Sequence, residues 1–251
     1  MNEIAVTGAN GMTGSHMVTL LKSKNIPVKK ITRQVWDLIE WKSFDELDKI
    51  FGSISAVFHF GAQLSYSNLK KDNLQTQQIF DTNIRSCLNL AEWAKLRNVP
   101  IIFLSSSVVY NNPHASKIVE TDPKVVNGFG GFYGYTKILA EGIFNHLSIN
   151  GLKCIILRPT SIYGYGLPSD KLIQDYINIA SSGGLIKVTG PKNKVNFIHA
   201  YDVANAALQA YDKKAWGVFN ISSKKQNTIL EVAEIAVSVS GSGCYISRMV
   251  Q

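Results

Sequence analysis

Short apolar runs alternating with helix-period stretches predict an α/β protein: a doubly wound parallel sheet covered by helices on both faces, followed by a small C-terminal lobe. Three observations carry this prediction. The runs Ile4–Val6, Val28–Thr32, Ala56–Phe60, Ile101–Ser105 and Lys153–Arg158 have the length and apolar content of buried strands. Stretches with a 3.6-residue apolar period separate most of them. A glycine-rich turn, Thr7-Gly8-Ala9-Asn10-Gly11-Met12-Thr13-Gly14, joins the first strand to the first helix.

Taken in order, Met12–Lys24 reads as a helix with Met17, Leu20 and Leu21 on one face, and Phe44–Phe51 as a short helix. Gln77–Leu96 carries Ile79, Ile84, Leu88, Leu90, Trp93 and Ala94 at helical spacing, and Tyr133–Leu147 is a further helix. Residues 111–132, with Pro113, Pro123 and Gly128-Phe-Gly-Gly, form a long loop of the kind that serves function. Beyond Arg158, Pro159, Gly164, Gly166, Pro168, Gly183 and Gly184 interrupt the pattern. The expected division is residues 1–160 as a nucleotide-binding unit and 161–251 as final sheet elements with a short substrate lobe.

The length, 251 residues, suits one large domain or a domain with a small appended lobe. A net charge of +8 comes from 26 basic and 18 acidic side chains. The basic residues are scattered rather than gathered in a run, which argues against nucleic acid and for an anionic small ligand. The three cysteines, Cys87, Cys154 and Cys244, are far apart and belong to no Cys/His cluster, so neither a disulfide framework nor a metal site is expected. The first strand follows the first residues directly and no apolar run approaches the ~20 residues of a membrane span. A cytoplasmic protein without a membrane partner is expected.

Gly8, Gly11 and Gly14 have separate tasks: a tight turn, close approach of a pyrophosphate to the backbone, and close packing of helix on strand. The N-terminus of the following helix offers N–H groups and a partial positive charge to phosphates. This is the Rossmann-type arrangement for a dinucleotide. An NAD site commonly places an acidic side chain at the end of the second strand, but Lys29–Gln34 contains none and ends near Arg33. A guanidinium there accommodates a 2′-phosphate, which favours NADP over NAD; the alternative is that Arg33 is a solvated strand-end charge. Asp37 is placed to accept a hydrogen bond from an adenine amino group.

Tyr133 and Lys137, four apart on a helix, share one face. A nearby ammonium and an oxidised nicotinamide both favour the phenolate, so Tyr133 can exchange a proton while hydride moves. Ser105, Ser106 and Ser107 close the strand 101–104 at the carboxyl edge of a parallel sheet, where ligands bind in such folds.

With these segments in view the sequence resembles the extended short-chain dehydrogenase/reductase family, the NAD-dependent epimerase/dehydratase group, from residue 4 to about 240. Thr7–Gly14 resembles its TGxxGxxG loop, Val57–Ala62 its VxHxAA segment, Ser105–Tyr110 its SSxxVYG segment, Leu157–Gly164 its LRPxxVYG segment and Phe197–Ala204 its FIHVxDVA segment. The resemblance implies catalysis by Ser106, Tyr133 and Lys137. It implies cofactor contacts from Gly8, Asn10, Gly11, Met12 and Gly14 in the loop, and from Arg33, Asp37 and Leu38 after the second strand. Phe60, Gly61, Ala62, Asn83, Tyr133, Lys137 and Pro159 would complete that cleft.

Departures narrow the expectation. The Asp-Glu pair that serves dehydratases is replaced by Ser107 and Val108, which argues against that mechanism. The arginine that grips a diphosphate in many nucleotide-sugar enzymes is Val195, with Lys192 and Lys194 nearby. Family members run some tens of residues longer, so the substrate lobe is expected to be short or truncated. The leading expectation is a reductase or epimerase acting on a nucleotide-activated sugar. The alternatives are an NADP-sensing regulator and a dehydrogenase of a lipid or steroid alcohol. The family also implies a homodimer through the helices 77–96 and 133–147, whose apolar faces serve equally well as core.

Overall fold

The computed structural model describes residues 3–64, 73–112, 115, 117–126, 128, 130–241 and 245–249; Lys70, Lys71, Pro113 and Cys244 lie outside them. The first half alternates strand and helix: β1 (Glu3–Thr7), α1 (Met12–Ser23), β2 (Val28–Ile31), α2 (Phe44–Phe51) and β3 (Ile54–His59). Then come α3 (Asn73–Phe80), a π-helical turn (Asp81–Arg85), α4 (Ser86–Leu96), β4 (Ile101–Leu104), α5 (Gly131–Ile149) and β5 (Cys154–Pro159). The second part holds β6 (Ser161–Tyr163), α6 (Leu172–Ser181), β7 (Leu185–Thr189), β8 (Lys194–Val195), β9 (Phe197–His199) and α7 (Ala200–Asp212). β10 (Gly217–Ile221), β11 (Asn227–Thr228), α8 (Ile229–Ser240) and β12 (Tyr245–Met249) follow.

Six of these strands form one parallel sheet in the order β10-β5-β4-β3-β1-β2. Successive side chains of a strand point to opposite faces, and here both faces are apolar. Ala5, Val57, Phe103 and Ile156 join α2, α4 and α5 in one core with Leu47, Phe51, Leu90, Trp93 and Phe144. Their sequence neighbours Ile4, Val6, Phe58, Leu104 and Leu157 join α1 and α7 in a second core with Met17, Leu21, Val203 and Leu208. The doubly wound sheet read from the sequence is therefore observed, and β10, from beyond residue 200, extends it. The remaining short strands pair in twos, and α6 packs on α8 around Tyr176, Ala180, Ile186, Val188 and Ala233 in a third hydrophobic cluster.

The helix expected over 77–96 begins earlier and is interrupted. Its π turn leaves the regular i→i−4 ladder, and the Ser86 hydroxyl bonds back to the Thr82 carbonyl there. Single π turns are frequent at functional sites, and this one holds Asn83. Among the described residues Cys87 and Cys154 are buried free thiols, no cluster of metal-binding side chains occurs, and no helix is long and apolar enough to cross a membrane.

Candidate active site

The carboxyl ends of β1, β2 and β3 open onto a cavity of about 260 Å3. Its floor is the glycine loop. Gly8 has φ +64, and a Cβ there would come within 2.7 Å of the Gly61 backbone. A Cβ on Gly14 would meet the Gly8 carbonyl oxygen at 2.0 Å, and one on Gly61 would meet Leu38 Cδ1 at 2.7 Å. The loop thus lies against the β3 end with no space for side chains, the cradle a pyrophosphate needs. Gly11 is the N-cap of α1 and supplies no side-chain cap, which leaves the helix terminus to bond an anion through its backbone.

Gly8, Asn10, Gly11, Arg33, Asp37, Leu38, Phe60, Gly61 and Ala62 all line this cavity. Met12 and Gly14 stand behind it in the first turn of α1. The Arg33 side chain is 78% exposed at the mouth, its Nε 4.0 Å from Asp37 Oδ2, and so is free to turn toward a ligand phosphate. Trp36, Gln63 and Thr82 also line the cavity and carried no recognised local signal in the sequence.

A buried relay holds the two loops together. The Gly61 N–H donates to Thr7 Oγ1 (3.1 Å), and Thr7 Oγ1 lies 2.8 Å from His59 Nδ1. His59 is buried with Cys87 Sγ 3.5 Å from its Nε2. Burial, reinforced by the Lys137 charge, pushes the imidazole down to about 3, so it is neutral.

Asn83 is not among the residues that line this cavity but is bonded to Gln63, which is. Its amide accepts from the Gln63 N–H at 2.8 Å and donates to the Gln63 carbonyl at 2.9 Å and to Thr136 Oγ1 at 3.1 Å. With both ends of the amide engaged, it braces the segment after Gly61 against α5.

The reacting groups expected from the sequence gather where β4 and β5 end. Ser105 is buried and donates to Glu141 Oε1 at 2.5 Å. Ser106 is partly exposed and, among the described residues, accepts a 3.3 Å bond from the Val108 N–H. Of these two serines, Ser106 is the one with a hydroxyl left for a ligand. Val108 packs against Gly130 and Gly134, where an added Cβ would find it at 2.8 Å and its carbonyl at 3.2 Å. That contact sets the first turn of α5, with Tyr133, beside the serines. Lys137 is buried, donates from Nζ to the Leu104 carbonyl at 2.7 Å and stands 5.6 Å from the Tyr133 ring centre. Burial lowers the lysine to about 8, partly offset by Cys87 and Glu141. Burial also pushes the Tyr133 phenol up from its usual value. The lowering expected of the phenol pKa combines the ammonium with an oxidised nicotinamide; against the ammonium alone, burial prevails. Pro159, at the end of β5, completes this edge.

A model of the NAD dependent epimerase/dehydratase family matches residues 4–222. The chain belongs to this family. Among curated relatives, it is 26% identical to a dTDP-4-dehydro-6-deoxy-D-allose reductase of Streptomyces bikiniensis over 95% of this chain and 81% of that one. It is 27% identical to a UDP-glucose 4-epimerase of Dictyostelium discoideum over 92% and 79%. Among solved structures, a dTDP-4-dehydrorhamnose reductase of Clostridium acetobutylicum shares the fold with a TM-score of 0.83 at 22% identity, over 99% of this chain and 84% of that one. A UDP-glucose 4-epimerase of Thermus thermophilus, solved with NAD, shares it at 0.82 and 20%, over 98% and 85%. The family resemblance read from the motifs is confirmed, and the protein is an NAD(P)-dependent enzyme of the short-chain dehydrogenase type.

Proposed function

We propose that this enzyme reduces or epimerises a sugar carbon of a nucleotide-activated sugar, and that the reaction is 4-keto reduction with NADPH. The observation that carries the cofactor choice is the end of β2: the cavity that would take the adenosine ribose is bordered there by the guanidinium of Arg33. The glycine cradle and the α1 N-terminus would hold the pyrophosphate, and the bound nicotinamide supplies hydride.

This chain's residues do the rest. Tyr133 would deliver a proton from its phenol to the developing alkoxide. Lys137, charged at neutral pH, would steady the phenolate that remains. Ser106 would donate a hydrogen bond to the same substrate oxygen. A retained-cofactor epimerase is the second reading, favoured by Asp37: a carboxylate in the same cavity suits ribose hydroxyls and repels a 2′-phosphate.

Titration of the purified chain with NADPH and NADH separates the two. The reductase reading expects tighter NADPH binding, weakened about tenfold by Arg33→Ala through loss of one charge-assisted contact worth ~1.4 kcal/mol. NADH binding as tight as NADPH, unaffected by the substitution, would transfer the assignment to the epimerase.

A further inference from the structure

Behind the serines lies a fully buried carboxylate that the mechanism above does not use. Glu141 is 0% exposed and sits one helical turn beyond Lys137 and two beyond Tyr133 on α5. Its Oε1 accepts from Ser105 Oγ at 2.5 Å and from Arg158 Nε at 2.9 Å. Its Oε2 accepts from Arg158 Nη2 at 2.8 Å and from Lys124 Nζ at 3.1 Å. Arg158 in turn donates from Nη1 to Tyr110 Oη at 2.5 Å and to the Glu120 carbonyl at 2.9 Å, and Tyr110 donates to Asn220 Oδ1.

We propose that Glu141 is the positioning residue of this active site, the single anchor that sets Ser106, Lys137 and Pro159 relative to one another and seats the segment 118–126 against them. The inference rests on the reading of Ser106, Tyr133 and Lys137 given above. Each donor to the carboxylate is the immediate neighbour of a working group, or belongs to the segment that packs over them. Ser105 precedes Ser106 at the end of β4. Arg158 precedes Pro159 at the end of β5. Lys124 lies on the long connection before α5, which the backbone bridge between Tyr110 and Lys124 also ties to the site.

A buried ion pair costs desolvation that an apolar core of similar volume avoids. What it supplies instead is direction: four donors aimed at two oxygens leave the three elements one mutual arrangement. Reaction rates are steep in such geometry, because a misplacement of about 1 Å costs on the order of 100-fold. Glu141 also acts on Lys137 through space. The groups facing that ammonium are Tyr133 and Glu141 on its own helix, the Leu104 carbonyl and Phe103 ring on β4, the Cys87 thiol on α4 and His59 on β3. Of these, Glu141 carries the negative charge that opposes burial at neutral pH.

The test uses the full chain with Glu141→Gln, Glu141→Asp and Lys124→Met. Three quantities are followed: NADPH affinity by fluorescence, kcat and KM with a dTDP-4-keto-6-deoxy sugar, and the titration of Lys137 by NMR of 13C-labelled lysine, assigned with Lys137→Met. Glu141→Gln is expected to keep NADPH affinity and KM within about twofold while kcat falls about 10- to 100-fold. The Lys137 midpoint should move down by about one pH unit, since a neighbouring opposite charge is gone. Glu141→Asp should restore part of both. Lys124→Met, which removes one donor and leaves the carboxylate, should lower kcat less and raise the Lys137 midpoint. An unchanged kcat and midpoint in Glu141→Gln overturns the proposal. So does a loss of NADPH affinity and KM in step with kcat, which marks a purely structural role. If Glu141→Gln does not fold, the kcat and midpoint of Lys124→Met decide by the same criteria. If wild-type protein turns over no keto-sugar, the functional reading fails, while the Lys137 midpoint still decides whether Glu141 acts on that lysine.

Discussion

Replacing Gly14 by alanine puts a methyl group where the chain has no room for one. The new Cβ would lie 2.0 Å from the Gly8 carbonyl oxygen, 2.7 Å from the Gly8 carbonyl carbon and 3.0 Å from Ala9 Cα. Real Cβ atoms essentially never approach closer than 3.0 Å, and all three neighbours are backbone, so no flexible side chain can give way. The first turn of α1 must retreat from the loop by about 1 Å, and overpacking of this kind costs ~1–3 kcal/mol. Alanine returns ~0.8–1 kcal/mol of helix propensity, which leaves a net loss of up to about 2 kcal/mol. For a chain of this size that lowers the melting temperature by at most roughly 8 °C. The larger effect falls on cofactor binding, because N–H groups displaced by about 1 Å no longer reach a phosphate at hydrogen-bond distance. Loss of one such charge-assisted bond, ~1.5–3 kcal/mol, weakens NADPH by about 10- to 100-fold. Thermal unfolding and a fluorescence titration read both numbers. Gly11→Ala is the internal comparison: its Cβ would meet the Gly8 oxygen at 3.2 Å, and a few tenths of an ångström of adjustment suffice. A Gly14→Ala protein that melts and binds NADPH like the wild type would refute the assignment of this loop as the pyrophosphate cradle.

Two further outcomes follow from the site. Tyr133→Phe should lower turnover by about 10²–10⁴-fold while NADPH affinity stays near wild type, as measured by steady-state kinetics beside the binding titration; near-normal turnover would remove Tyr133 from proton transfer. His59 is held at about 3 against 6.5 for a free imidazole, first by burial. The unfolded chain therefore binds this proton before the folded one does, and the protein loses stability as pH falls from about 6.5 toward 3. Denaturant unfolding between pH 7 and 4 should show that slope flattened in His59→Gln, and an unaltered slope would place the acid sensitivity elsewhere.

Much of this molecule was legible locally. The strands announced themselves because a sheet buried on both faces needs apolar residues at every position, so Ile4–Val6, Ala56–Phe60 and Ile101–Leu104 read as continuous runs. The glycine loop was legible because only glycine tolerates the backbone contacts at Gly8 and Gly14. Tyr133 and Lys137 were legible because helical periodicity alone puts them on one face. The π turn at Asp81–Arg85 was not, since residues on either side of it keep an ordinary helical pattern. Asn83 was assigned to the ligand cleft by motif, yet its direction depends on Gln63 and Thr136, from two other elements.

By itself, then, the sequence determined the layered sheet, the glycine-rich turn at its edge and the shared helix face of Tyr133 and Lys137, all consequences of short-range periodicity or of the absence of a Cβ. Only the tertiary structure decided which serine is tied to Glu141, that β10 lies beside β5, and that Glu141 meets Arg158, Ser105 and Lys124 at one point. Those contacts join residues as far apart as Tyr110 and Asn220. They exist because the order of strands in the sheet brings the ends of β4, β5 and β10 together, and strand order is a property of the whole chain's packing that no local pattern encodes.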